Sequence, residues 1–101
     1  MAEVKLNIQK EEPSAFELYD EGEKHGEMVF DIQGENLTVY HTEIDPEKEG
    51  KGYAKLLLDE MVNYVRTNNL KVIPLCPYVH LQFKRHEELY RDIWNKVREN
   101  D

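Results

Sequence analysis

Two glycines stand at the entrance of the strongest helical pattern in the chain, in the stretch Glu49-Gly50-Lys51-Gly52-Tyr53-Ala54-Lys55. Glycine costs roughly 1 kcal/mol against alanine inside a helix, so a pair at a helix start implies a use for backbone without side chains. Close approach of an anion is such a use. The first N–H groups of a helix have no intrahelical acceptor, its positive dipole end lies there, and Gly50 and Gly52 put no Cβ in the way of a diphosphate. Lys51 and Lys55 add positive charge to the same loop. Upstream, His41 and Glu43 share one face of a regular strand, where an imidazole and a carboxylate can converge for acid–base work. A bulge in that strand would split them onto opposite faces, and the plainer reading is a satisfied strand histidine beside a solvated strand end. Downstream, Cys76 closes a strand just ahead of a helical segment, a setting in which a thiol is a candidate nucleophile. A small buried hydrophobe is the plainer reading there.

The elements that must hold these residues follow from the hydrophobic period. Val4-Lys5-Leu6-Asn7-Ile8 alternates apolar and polar, and Ala15 to Tyr19 resumes the pattern after Glu11-Glu12-Pro13-Ser14. Glu27 to Ile32 and Leu37 to Ile44 give two more extended runs, separated by Gln33-Gly34-Glu35-Asn36. Four short runs with short polar turns predict an antiparallel meander. Ala54, Leu57, Leu58, Met61, Val62 and Val65 then recur at helical spacing, and Asn68-Asn69 ends the helix. Leu70 to Cys76 reads as a fifth strand, parallel to the fourth because the helix supplies the crossover. A helical segment over Val79–Arg85 and another near Glu88–Val97, with Leu89, Ile93 and Val97 as its stripe, complete the chain. The fold class is α/β: antiparallel strands, one β-α-β crossover and C-terminal helices.

The 101 residues carry 13 basic and 21 acidic side chains, a formal charge of −8, with 40% hydrophobic residues and one cysteine. One domain over 1–101 is the expectation at this length. No apolar run approaches the ~20 residues that span a bilayer, and MAEVKLNIQK has no apolar signal core, so a soluble, cytoplasmic protein is expected. A single cysteine makes no internal disulfide. The negative charge argues against nucleic acid and anionic membranes as partners, since both demand a clustered positive surface. Cys76, His80, His86 and His41 fit no zinc spacing, and no metal is expected.

The glycine pattern is not a dinucleotide fingerprint, which needs a third glycine after a first strand, nor a P-loop, which needs G-K-[ST]. Glu49-Gly50-Lys51-Gly52-Tyr53-Ala54 resembles the acetyl-CoA loop of the GNAT N-acetyltransferase superfamily, Q/R-x-x-G-x-G/A, with Glu49 in the first position. Together with His41-Thr42-Glu43-Ile44, the Pro74-Leu75-Cys76-Pro77-Tyr78 segment and the Arg85-His86 pair, the chain is similar to a small single-domain branch of that superfamily over about residues 4 to 95. The resemblance implies a compact GNAT-like fold holding acetyl-CoA or CoA in a split between the fourth and fifth strands. It implies cofactor contacts from Ile44, Gly50, Lys51, Gly52, Tyr53, Ala54 and Lys55, and from Cys76, Phe83, Lys84 and His86.

The implied activity is transfer of an acetyl group to an unidentified amine, on a small molecule or a protein lysine. Such a reaction needs a held thioester, a route for the amine's proton and an acid for the leaving thiolate. Glu43 is the candidate base or amine-positioning group, with His41 as its alternate. Cys76 is placed near the CoA sulfur, as slot wall, mixed-disulfide partner or acetyl acceptor. Tyr78 is a candidate acid; Phe83, if it occupies the usual tyrosine position, cannot donate a proton. Lys84 and Arg85 are either phosphate contacts or a solvated helix face. The alternative is a non-catalytic CoA or acetyl-CoA binder with a reactive Cys76. A third class is an adaptor gripping a partner through Tyr90 and Trp94, unless both rings complete the core.

Overall fold

The computed structural model describes residues 1–96. Five strands form one sheet in the order β1 (Glu3–Asn7), β2 (Ser14–Asp20), β3 (Glu23–Gln33), β4 (Asn36–Ile44) and β5 (Lys71–Pro74). The first four pair antiparallel, and β5 lies parallel to β4 across the helix α1 (Tyr53–Thr67). Meander and crossover thus match the sequence pattern. The β2–β3 hairpin closes on Glu21 and Gly22, with φ of 52° and 82°. Two consecutive left-handed residues suit the strand twist of a two-residue turn.

Alternate strand residues Phe16, Leu18, Met28, Phe30, Leu37 and Val39 are buried in one cluster with Leu57, Leu58, Met61, Val62 and Val65 of α1. Val79 and Phe83 of α2 (Pro77–Arg85) join the same cluster, so the helices share one face of the sheet. The intervening residues Glu17, Glu27, Asp31 and Thr38 carry the other face and are only half-buried.

The third strand is longer than expected, starting at Glu23 directly after the tight turn rather than at Glu27, and boundaries in the C-terminal half depart as well. The fifth strand stops at Pro74, because Leu75 turns its N–H back to Ile73 O (3.1 Å) and neither Pro74 nor Pro77 has an N–H to donate. The second helix starts earlier than Val79, at Pro77, where a missing N–H costs nothing. The helix expected near Glu88–Val97 is reduced to one turn, α3 (Glu87–Tyr90). Beyond it the backbone bonds to β5 instead: Val72 N–H donates to Ile93 O (2.6 Å) and Asn95 N–H to Val72 O (2.9 Å), making a parallel bridge between Val72 and Trp94. Leu89 is consequently exposed while Ile93 is buried, and Val97 lies outside the described residues.

Two bulges interrupt the ladders. Leu18 pairs with Gly26 and Tyr19 with Lys24, leaving His25 extra in β3; Val29 pairs with His41 and Phe30 with Val39, leaving Tyr40 extra in β4. A bulge re-aims the side chains beyond it, and both lie at the end of the sheet where α1 begins.

Candidate active site

The β4–β5 ladder ends at Val39 and Pro74, beyond which Cys76 N–H still reaches across to Val39 O at 2.9 Å. From there β4 continues through Ile44 without a neighbour in β5, and the strands separate. The bulge at Tyr40 reverses the alternation of β4. Thr42, opposite Met28, and Ile44, opposite Gly26, turn to the helical face; His41 and Glu43, opposite Val29 and Glu27, turn to the open one. Because the extra residue precedes the pair, His41 and Glu43 stay together, with Nε2 and Oε1 3.8 Å apart, both solvent-exposed.

A cleft of about 400 Å³ occupies the split. Thr42 and Ile44 form its β4 wall, Lys48, Glu49, Gly50 and Gly52 its rim, and Tyr53, Ala54 and Lys55 the first turn of α1. Tyr78 of α2 closes the far side. Gly50 and Gly52 have φ of 84° and 80°, a region that L side chains rarely adopt. A Cβ at either would meet nothing within 4 Å, so the space before the loop is open. The first helical bond runs from Leu56 N–H to Gly52 O (3.2 Å), which leaves the N–H groups of Tyr53, Ala54 and Lys55 ahead of it. The residues present therefore fit a diphosphate held by main-chain donors. Lys55 is bound to Asp59 at 2.6 Å, and that hydrogen bond raises its pKa above the ordinary lysine value.

Tyr53 anchors this turn. Its hydroxyl donates to Asp20 Oδ2 at 2.5 Å; the bond raises the tyrosine's pKa and lowers that of the carboxyl, so both keep their neutral-pH forms. The ring lies parallel to that of His25, with centroids 6.2 Å apart. Tyr78 is half-buried and its pKa is raised, chiefly by that burial.

Cys76 is buried behind the β4 wall, its Sγ 3.3 Å from Thr42 Oγ1, so a cleft residue connects it to the site. Phe83 is fully buried, stacked on Tyr90 at 4.7 Å and edge-on to Trp94 at 5.7 Å. Lys84 and His86 are exposed, and none of these three lines the cleft. Lys51 is exposed on the loop, also outside the lining. Tyr90 is buried and Trp94 packs against the core, so neither ring is displayed.

Thr42, Lys48, Gly26 and His25 belong to the architecture of the site, and the sequence reading gave none of them a role. Thr42 sits inside the His41-Thr42-Glu43 motif, whose alternation pointed to its neighbours. Gly26 had no local signal at all. A Cβ there would lie 2.5 Å from Ile44 Cδ1 and 2.8 Å from Glu43 O. The side chain can swing away but the carbonyl cannot, so Gly26→Ala is expected to destabilise the fold by about 1–3 kcal/mol. Urea unfolding measures it, and a variant as stable as the parent would refute the close packing of β3 on the end of β4.

A family model described as GCN5-related N-acetyl-transferase matches residues 15–93. Among solved structures, the ribosomal-protein-S18-alanine N-acetyltransferase of Escherichia coli superposes with a TM-score of 0.60 at 16% identity, over 65% of this chain and 43% of that one. The ribosomal-protein-alanine N-acetyltransferase of Brucella melitensis biovar Abortus 2308 gives 0.63 at 22% identity, over 86% and 64%. A GCN5-like protein of Staphylococcus aureus gives 0.62 at 28% identity, over 92% and 87%. The chain thus spans less than half of the Escherichia coli enzyme and under two thirds of the Brucella one. No curated protein matches it in sequence. Among the described residues no helix is long and apolar enough to cross a membrane. The split sheet and glycine-led helix agree with a family match over most of the sequence: the chain belongs to the GCN5-related N-acetyltransferase family.

Proposed function

We propose that this protein binds acetyl-CoA in the cleft between β4 and β5 and transfers the acetyl group to a primary amine. One observation carries the reading: open space faces two left-handed glycines and the first N–H groups of α1, where the parallel strands part. The main-chain donors of Gly52 to Lys55 hold the diphosphate, and Lys48 and Lys55 add charge at the rim. Bound acetyl-CoA supplies the activated acyl carbon. A cationic amine first gives up one proton to free its lone pair; its nitrogen then forms the new bond to that carbon as the carbon–sulfur bond breaks, a second proton leaves the nitrogen, and one proton reaches the sulfur.

Neither His41 nor Glu43 lines the cleft; the amine enters from the open face through the gap where β4 and β5 part, and there Glu43, with His41 beside it, takes its proton. Glu43 ends a cross-strand row with Glu27 and Glu17, whose charges Lys24 offsets at 2.6 and 3.2 Å. Like charges set opposite one another are unfavourable, so the row favours a cationic acceptor, a small amine or a lysine side chain. Tyr78, on the far side of the cleft, is protonated at neutral pH, the more so because burial raises its pKa, and delivers that proton to the sulfur. Cys76, behind Thr42, stiffens the slot near the thioester.

Calorimetric titration with acetyl-CoA and with CoA tests the cleft; no heat from either at high micromolar concentration would discard the reading. A panel of amines scored by release of free thiol then separates an enzyme from a binder, which would show no acceptor-dependent rate. Glu43→Gln is expected to lower kcat about a hundredfold while leaving acetyl-CoA affinity unchanged. An unaltered kcat would remove Glu43 from the chemistry.

A further inference from the structure

We propose that His25 is a positioning residue that pre-forms the diphosphate cradle by holding both ends of the β4–α1 connection against one side chain. The inference rests on the reading of that connection as the acetyl-CoA loop. His25 is the extra residue of the β3 bulge, and the bulge brings its ring to the helical side, where it is almost wholly buried.

At the start of the connection it meets Asp45 twice. Asp45 N–H donates to His25 O at 2.8 Å, and His25 Nδ1 lies 3.2 Å from Asp45 Oδ2. The Asp45 carboxylate makes no side-chain capping bond to the following turn and is turned instead to His25 of β3. At the end of the connection the imidazole lies against the ring of Tyr53, 9° from parallel. Tyr53 is itself tied to β2 through Asp20.

Between these anchors lie Gly50 and Gly52, the residues that lose the most conformational freedom when ordered. A ligand that had to order them would lose affinity in proportion, whereas a loop closed in advance spares that loss. Removing the clasp should therefore act on binding and leave the chemical step alone. Sequence offers no trace of this role, because His25 reads as a polar residue in a turn-flanked stretch until the bulge is known.

The test uses His25→Phe, which keeps a ring against Tyr53 and deletes the side-chain bond to Asp45 while the main-chain bond stays, and Asp45→Ala, which removes the same side-chain bond from the exposed side. Each is expected to raise the Kd for acetyl-CoA about tenfold, with kcat at saturating acetyl-CoA within twofold of the parent. In the ligand-free proteins, ¹⁵N relaxation should show the Gly50 and Gly52 amides falling from rigid order parameters of about 0.85 towards 0.6. Unchanged order parameters and Kd in a folded Asp45→Ala protein would overturn the proposal, as would a fall in kcat at constant Kd. The order parameters are read without ligand. If the parent protein fails to bind acetyl-CoA, the loop's function is lost as a reading, but the relaxation data still decide whether His25 holds it.

Discussion

Gly52→Val is expected to lower the affinity for acetyl-CoA by about a hundredfold or more, the larger of two losses. Gly52 is the N-cap of α1 at φ 80°, and valine tolerates that region poorly, at an expected strain of about 1–3 kcal/mol. Relaxing it means rotating the peptide plane that leads into α1, which turns the N–H groups of the cradle away from a common point. Any branch that stays in place projects into the open space before the loop, the space the diphosphate needs. Calorimetry on the folded variant measures the loss, with circular dichroism confirming the fold. Undiminished affinity would show that the diphosphate is held elsewhere. Gly52→Ala, which puts less bulk in the same space, should fall between the two.

Phe83→Ala is expected to destabilise the protein by about 3–5 kcal/mol, enough to lower Tm by roughly 15–30 °C in a chain of this size. Phe83 is fully buried and holds Tyr90 and Trp94 against the underside of α2. Deleting the ring leaves a cavity bordered by two more aromatic rings, which the one-turn α3 and the bridge to Val72 cannot fill without losing their own bonds. Urea and thermal unfolding measure the effect. A ring that served the ligand would give the opposite pattern, with stability retained and affinity lost.

The two variants also separate two kinds of residue that motif matching treats alike. Gly52 and Phe83 both fall in segments resembling the superfamily, yet one borders open space and the other has none around it. The difference lies in packing from α3 and from the strand-like segment at Ile93 to Asn95, which no local pattern around Phe83 reveals.

What the sequence determined by itself is what depends on neighbours a few residues away. The helical period from Ala54 to Val65, the turn chemistry at Gln33-Gly34-Glu35-Asn36 and the glycines ahead of α1 each act within one or two turns of chain, and the meander, crossover and open glycine loop follow from them. The tertiary structure alone decided which side of β4 each residue faces. Side chains on a strand alternate with a period of two, so one extra residue exchanges the faces of all that follow. Whether Tyr40 is extra depends on Val29 and Phe30 across the ladder. That exchange sends Thr42 and Ile44 into the cleft and His41 and Glu43 to the opposite face. In the same way His25 reaches Asp45 and Tyr53 only because β2 leaves it without a partner. The C-terminal segment obeys the same rule: its apolar spacing suits a helix, but the free edge of β5 offers its backbone hydrogen bonds that only the assembled sheet presents.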